Sequence, residues 1–277
     1  MARLPKGMNE HYGRNIDRMP QLLKARESPM SAATLMKARL QQGDEFPDLW
    51  NCWYDTSDLV VYPKGNDKEV YFLLTVDNQG QVTDNGRKAL ELIRPGNLAS
   101  DYGAKVDKIG LLGRRGLIKV DRSKITTRTR LTQEQALNEI TWRILARHPD
   151  EVPKAFAEDE ALLKEYEARV RSKTSQGTNM AVYLGDSVAD EHTLKAWCVG
   201  GLGCEAGARV RGDLGYDVNG CLVGIAPEAL GALGKGASNI KAYTMADLKA
   251  YDAAVKGLEA TVKPELLKPF AALRKKL

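Results

Sequence analysis

Between Gly103 and Arg130 the chain carries Lys105, Lys108, Arg114, Arg115, Lys119, Arg122, Lys124, Arg128 and Arg130, against only Asp107 and Asp121. Clustered lysine and arginine neutralise phosphates and release their counter-ions, so this stretch is the candidate contact for a nucleic acid or another phosphate-rich partner. A second basic excess lies in 1–39, where Arg3, Lys6, Arg14, Arg18, Lys24, Arg26, Lys37 and Arg39 face Glu10, Asp17 and Glu27. The other groups with chemistry to offer are His192, Cys198, Cys204 and Cys221. Their spacing is too wide for a short Cys-x-x-Cys zinc knuckle, and the three cysteines read as buried free thiols with no metal. Trp50, Trp53, Tyr54 and Tyr62 could stack bases, but aromatics in strands more commonly fill a core.

The elements that must position the basic residues follow from periodicity and turn chemistry. Lys105 to Leu112 and Leu117 to Ile125 read as strands, and Gly113-Arg114-Arg115-Gly116 fits a connecting turn. The expectation is a basic β-hairpin tipped by two arginines, a shape that fits the major groove of a duplex. Upstream, a helix after Pro20 and another opening at Ser31 and stopping at Gly43 make a helical hairpin. Strands follow at 50–55, 59–62 and 69–76, with Lys64-Gly65-Asn66-Asp67 as a turn, and a short helix at 87–93. Thr132 and Gln135 form a capping-box pattern ahead of Leu137, Ile140, Ile144 and Leu145. A second helix is expected from about Pro153 to Ser172, with Phe156, Leu163, Tyr166 and Val170 on one stripe. Met180 to Leu184 reads as a short strand, and Asp217-Val218-Asn219-Gly220 as a hairpin turn. The tail from Thr244 is helical, and Leu266, Phe270, Leu273 and Leu277 give it a face to dock on the body or on a second copy.

Two local patterns resemble known families. Ala181 to Leu184, Gly185-Asp186 and then Asp190 resemble the fourth motif of haloacid-dehalogenase-like phosphatases, and Tyr71 to Val76 followed by Asp77 resembles that family's first motif. The resemblance implies Asp77 as nucleophile and Asp186 and Asp190 as holders of Mg²⁺, a hard cation suited to carboxylates. Gln79 stands where the family places its acid/base aspartate. His148-Pro149-Asp150 is similar to the loop tripeptide of J-domain co-chaperones, and a helix stop accounts for it equally. Gly201-Leu202-Gly203-Cys204-Glu205-Ala206 has the spacing of a dinucleotide fingerprint, but the glycines after it are poor helix material, so it reads as a Gly-rich turn. Gly231 to Ser238 lacks P-loop spacing.

With 43% hydrophobic and 28% charged residues the composition is that of a folded globular chain rather than a disordered one. There is no apolar run long enough to span a membrane and no secretory h-region, and four irregularly spaced cysteines do not make a disulfide framework; the expected location is cytoplasmic. The expected fold is α+β. Residues 1–130 are expected to form a basic region with a helical hairpin plus antiparallel strands. Residues 131–277 are expected to be helix-rich with a small sheet, the two regions being either separate or continuous. The expected function is a non-enzymatic nucleic-acid-associated protein. The alternatives are a Mg²⁺-dependent haloacid-dehalogenase-like phosphohydrolase, or a structural subunit that self-associates through its C-terminal helices.

Overall fold

The computed structural model describes residues 4–127, 129–174, 180–185, 189–202, 208–227 and 229. Among them, ten strands form one mixed sheet. The strands are β1 (Met8–Arg14), β2 (Ser28–Pro29), β3 (Tyr54–Tyr62), β4 (Glu69–Leu73), β5 (Ala104–Lys105), β6 (Leu117–Asp121), β7 (Val182–Tyr183), β8 (Thr193–Val199), β9 (Val210–Arg211) and β10 (Asn219–Ile225). The main path runs β1-β10-β3-β8-β9-β7, so strands from either side of residue 130 interleave. β10 lies parallel to β3 and β7 parallel to β9; the other pairings are antiparallel.

β3 organises this sheet. Along one edge it pairs β8, with Asp55 opposite Cys198 and Leu59 opposite Ala196, so two extra residues of β3 are accommodated in between. The opposite edge takes two partners, β10 at Asp55 and β4 at Leu59–Val61. A bulge that bends and twists a strand in this way lets one edge serve two neighbours. Its polar residues are buried: the Thr56 hydroxyl donates to the Trp197 carbonyl (2.7 Å) and the Ser57 N–H to the Met30 carbonyl (2.9 Å), while the Ser57 hydroxyl has no hydrogen-bond partner among the described residues.

The strands read as unbroken apolar runs because the sheet is covered on both faces. Val60, Phe72, Trp197, Val199 and Val223 point to one core, covered by α2 (Ala32–Gln42), α6 (Ile140–Leu145) and α7 (Ala161–Lys173). Leu59, Val61, Leu73, Leu194, Ala196 and Leu222 point to the other, covered by α1 (Asn15–Lys24) and α4 (Asp84–Leu90). The remaining short helices are α3 (Asp48–Asn51) and α5 (Gln133–Asn138), with 3₁₀ turns at Ile109–Leu112 and Arg122–Lys124.

Several local expectations hold. Ser31 caps α2 by accepting from the Thr34 N–H (3.2 Å), and Gly43 closes it. Thr132 and Gln135 make both bonds of a capping box. Leu163, Tyr166 and Val170 share the buried face of α7, but that helix begins at Ala161 rather than near Pro153, and Phe156 is buried in the turn ahead of it.

The global expectation of a helix-rich second half with a small sheet is overturned. The second half contributes β8 and β10 to the middle of a large sheet, and helices are the minor component. Glu139, in extended conformation, splits the helix expected at 133–145 in two. The expected basic hairpin does not form either. Residues 109–112 make a 3₁₀ turn, β5 pairs β8, and β6 pairs β4 from Glu69↔Asp121 to Leu73↔Leu117. The helix expected after Pro20 starts at Asn15 and contains Pro20, and Trp50 lies in helix rather than strand. The hairpin expected at 217–220 is absent, since β10 pairs β1, β2 and β3 instead. The tail helices, with the self-association read from them, lie outside the described residues.

Candidate functional site

The end of the sheet where β3 and β10 begin and β8 finishes is hollow. A cleft of about 670 Å³ opens there, within the usual size range of small-ligand sites. β1 supplies Glu10 and Tyr12 to one rim, and the end of α3 with the segment after it supplies Asn51, Cys52 and Trp53 to a wall. Arg211, Leu214, Val218 and Asn219 come from β9, the loop to β10 and the first residue of β10. The floor is Asn15, Asp55, Cys198, Gly220 and Cys221. Tyr12 is 68% exposed and Val218 48%, both unusual for large apolar side chains.

Buried groups hold the walls in place. Arg39 on α2, fully buried, donates from Nε to the Leu49 carbonyl (2.6 Å), from Nη1 to the Tyr166 hydroxyl (2.6 Å) and from Nη2 to the Cys52 carbonyl (3.2 Å). Its guanidinium also lies over the Trp50 ring at 5.5 Å. One arginine thereby fixes the turn that presents Asn51, Cys52 and Trp53. Gly201 closes the end of β8 on this wall: a Cβ there would come 2.4 Å from the Asn51 carbonyl, and only glycine permits that approach. Opposite, Asp213 accepts from Arg211 Nε (3.0 Å) and Nη2 (2.8 Å), and the Asp213 carbonyl accepts from Lys195 Nζ (3.4 Å).

The floor centres on Asp55. Its Oδ2 accepts the Cys221 N–H at 3.0 Å, and the side chains of Asn15 and Cys198 also hydrogen-bond the carboxyl. Burial pushes the Asp55 carboxyl up, and those bonds only partly offset it. Among the described residues no cation lies within ion-pair distance of it. Burial, and after it the Asp55 charge, pushes the Cys198 thiol well up. Burial pushes Cys221 up to about 12, and Cys52 is raised by burial and by Asp48. Glu10 is also raised, by desolvation and then by Asp48. All three thiols are therefore held in the poorly nucleophilic protonated form.

The residues singled out from sequence are spread elsewhere. Lys105 pairs with Glu191 (3.2 Å) and Lys119 with Glu69 (2.5 Å). The Arg122 guanidinium donates to the Gly185 carbonyl. Lys108, Arg114, Arg115, Lys124 and Arg130 are exposed, and Arg128 lies outside the described residues. Asp77 closes a tight turn, its Oδ1 accepting from the N–H groups of Gln79 (3.0 Å) and Gln81 (2.9 Å). Asp190 is exposed and Asp186 lies outside the described residues. No group of three or more His, Cys, Asp or Glu able to hold a metal occurs among the described residues. His148 follows α6 at a helix stop, its Nδ1 accepting the Asp150 N–H (3.3 Å). Of the aromatic group, Trp50, Tyr54 and Tyr62 are core, and Trp53 alone lines the cleft. Asp55, Asn15, Glu10 and Tyr12 carried no spacing signature; the sequence signals that do fall at the cleft are Trp53, Cys198, Cys221 and the turn at 217–220.

No family model matches the chain, and no curated protein matches it. In three dimensions it is similar to a solved structure described as "Accommodation of massive sequence variation in Nanoarchaeota by the C-type lectin fold". The identity is 16%, the match covers 80% of this chain and 100% of that chain, and the TM-score is 0.54. At that identity the likeness concerns the fold alone: this chain has a C-type-lectin-like fold, in place of the helix-rich α+β arrangement expected from sequence. No helix among the described residues is long and apolar enough to cross a membrane.

Proposed function

We propose that this chain is a ligand-recognition module that holds its ligand in the cleft at the end of the sheet. The observation that carries the reading is the cleft itself. Tyr12, Trp53 and Val218 offer apolar surface, Asn51 and Asn219 offer polar groups, and all are set on a rigid sheet by buried anchors such as Arg39. Exposed aromatics with a few polar groups on a fixed scaffold are the usual makings of a binding site. The thiols lining the cleft are protonated, which favours binding over nucleophilic chemistry. The similar structure is described as a fold that accommodates massive sequence variation, a description compatible with a recognition role.

The test is ligand-observed NMR with a fragment set containing aromatics, sugars, amines and carboxylates. Hits that bind the wild type and are lost in Trp53→Ala and in Val218→Asp support the reading. A complete absence of hits, or hits that neither substitution weakens, overturns it.

A second reading rests on Lys108, Arg114, Arg115 and Lys124, which remain exposed near one another in sequence. It assigns them to phosphate contact without a hairpin. A salt series with labelled DNA and RNA tests it: a steep slope that Arg114→Ala/Arg115→Ala flattens supports it, and salt-independent or absent binding overturns it.

A further inference from the structure

Among the described residues, the floor of the cleft holds one buried acceptor that has no donor, beside a buried carboxyl that has no ion-pair partner. Asn15 is 5% exposed, lines the cleft, and its Oδ1 has no hydrogen-bond partner. The Asn15 side chain also lowers the Asp55 carboxyl, which calls for its NH₂ end as the donor and leaves the oxygen free. The unpaired atom is therefore an acceptor. A Cβ built on Gly220 would lie 1.9 Å from Asp55 Oδ2 and 3.2 Å from Asn15 Oδ1, so both oxygens pack side by side against the Gly220 backbone on the cleft floor.

Two of the donors nearby are committed. The Cys221 N–H is bonded to Asp55, and the Arg211 guanidinium is bound through two nitrogens to Asp213. Glu10 at the rim adds a second carboxyl, and Tyr12 and Trp53 add π-faces, which attract cations. A neutral hydroxyl could satisfy Asn15 alone. A positively charged donor would in addition favour the ionised form of the Asp55 carboxyl, which burial disfavours and which has no ion-pair partner among the described residues.

We propose that the cleft receives an organic monocation, an ammonium or a guanidinium, with Asn15 Oδ1 and the Asp55 and Glu10 carboxyls as acceptors and Trp53 and Tyr12 as aromatic walls. This rests on the recognition reading above and narrows it to one ligand chemistry. Such a group comes either as a free amine or as a lysine or arginine side chain of a polypeptide.

Titration with butylammonium and butylguanidinium, beside butanol and butyrate, tests the charge requirement. Acetyl-Gly-Lys-Gly-amide and acetyl-Gly-Arg-Gly-amide, beside acetyl-Gly-Gln-Gly-amide, distinguish the source. The expected result is cation binding about tenfold tighter than butanol or butyrate, weakened about tenfold by Asp55→Asn and severalfold by Glu10→Gln, and unchanged by Lys108→Ala. Tighter binding of the Lys or Arg peptide than of the free cation assigns the polypeptide source, and the reverse assigns the free amine. If Asp55→Asn does not fold, by circular dichroism and melting, Glu10→Gln at the open rim carries the test. Equal binding of butanol and butylammonium, or cation binding that Glu10→Gln leaves unchanged, overturns the proposal. Neutral or anionic fragments lost in Trp53→Ala would then leave the recognition reading standing; no binding by any fragment removes both.

Discussion

Arg147 Nη2 lies 2.6 Å from Asp58 Oδ1, joining residues 89 apart in sequence at a point both side chains share with almost no water. Asp58 sits in the bulge of β3, and its Oδ2 accepts the Ala32 N–H (2.9 Å) at the start of α2. Arg147 follows α6 with φ +63, a conformation unfavourable to a side-chain-bearing residue, and its guanidinium lies over the Phe156 ring at 5.9 Å. The ion pair therefore clasps the bulge, the α2 N-terminus and the α6 exit together. Removing one partner strands the other as a buried charge. Asp58→Ala is expected to destabilise the protein by about 3–5 kcal/mol, and Asp58→Ala/Arg147→Met by clearly less. Urea unfolding of the two variants checks it: a double variant as unstable as the single would mean that stranding the charge is not the dominant cost.

Glu139 gives the protein a pH dependence with a defined sign. Its carboxylate caps α6 through the Trp142 N–H (3.0 Å) and also meets Thr126 and Thr141. Burial pushes it from 4.5 up to about 7. The folded state thus binds a proton more tightly than the unfolded chain. The contribution is fully present below about pH 4.5 and is lost as pH rises through about 7, on the order of 3 kcal/mol. Glu139→Gln keeps an acceptor and cannot ionise. It is expected to match the wild type near pH 4.5 and exceed it in stability at pH 8, as read by melting temperature across the series. Parallel pH profiles for the two proteins would remove Glu139 as the cause.

What the sequence made legible is what neighbours in sequence decide. Ser31 and Gly43 bracket α2, and Thr132 with Gln135 opens α5, because caps act within one turn of helix. The failures are failures of long-range pairing. Gly113 and Gly116, with φ +72 and +78, do make turns, but Leu117–Asp121 takes its ladder from Glu69–Leu73 rather than from the segment just before it. Likewise Asn219–Ile225 pairs Met8–Arg14, at the other end of the described chain. Apolar runs fix which segments are strands and say nothing of which strands are neighbours. The site inherits that blindness: Asn15, Asp55 and Gly220 meet only because β10 enters between β1 and β3.

Thr132 is the simplest local test. Its hydroxyl accepts the Gln135 N–H (3.3 Å) while the Gln135 side chain accepts the Thr132 N–H (2.9 Å). α5 has only six residues, so its stability leans on this start. Thr132→Ala is expected to cost about 1 kcal/mol, and Thr132→Ser much less. Chemical denaturation of both variants decides it, and equal losses would show that the methyl group rather than the hydroxyl matters.

Gly220 is where fold and cleft share one constraint. It opens β10 beside Asp55, and any side chain there meets Oδ2 at 1.9 Å, a contact no real Cβ makes. Asp55 cannot yield freely, because its carboxyl is held by the Cys221 N–H and by Asn15 and Cys198. Gly220→Ala must therefore displace the floor of the cleft, with a penalty of about 1–3 kcal/mol from overpacking. Gly65, with φ +64 and open space around it, is the control: alanine there strains the backbone and touches nothing in the cleft. The expected outcome is that both variants lose stability but only Gly220→Ala weakens fragment binding in the cleft. Equal binding by the two would show that the floor at Asp55 takes no part in recognition.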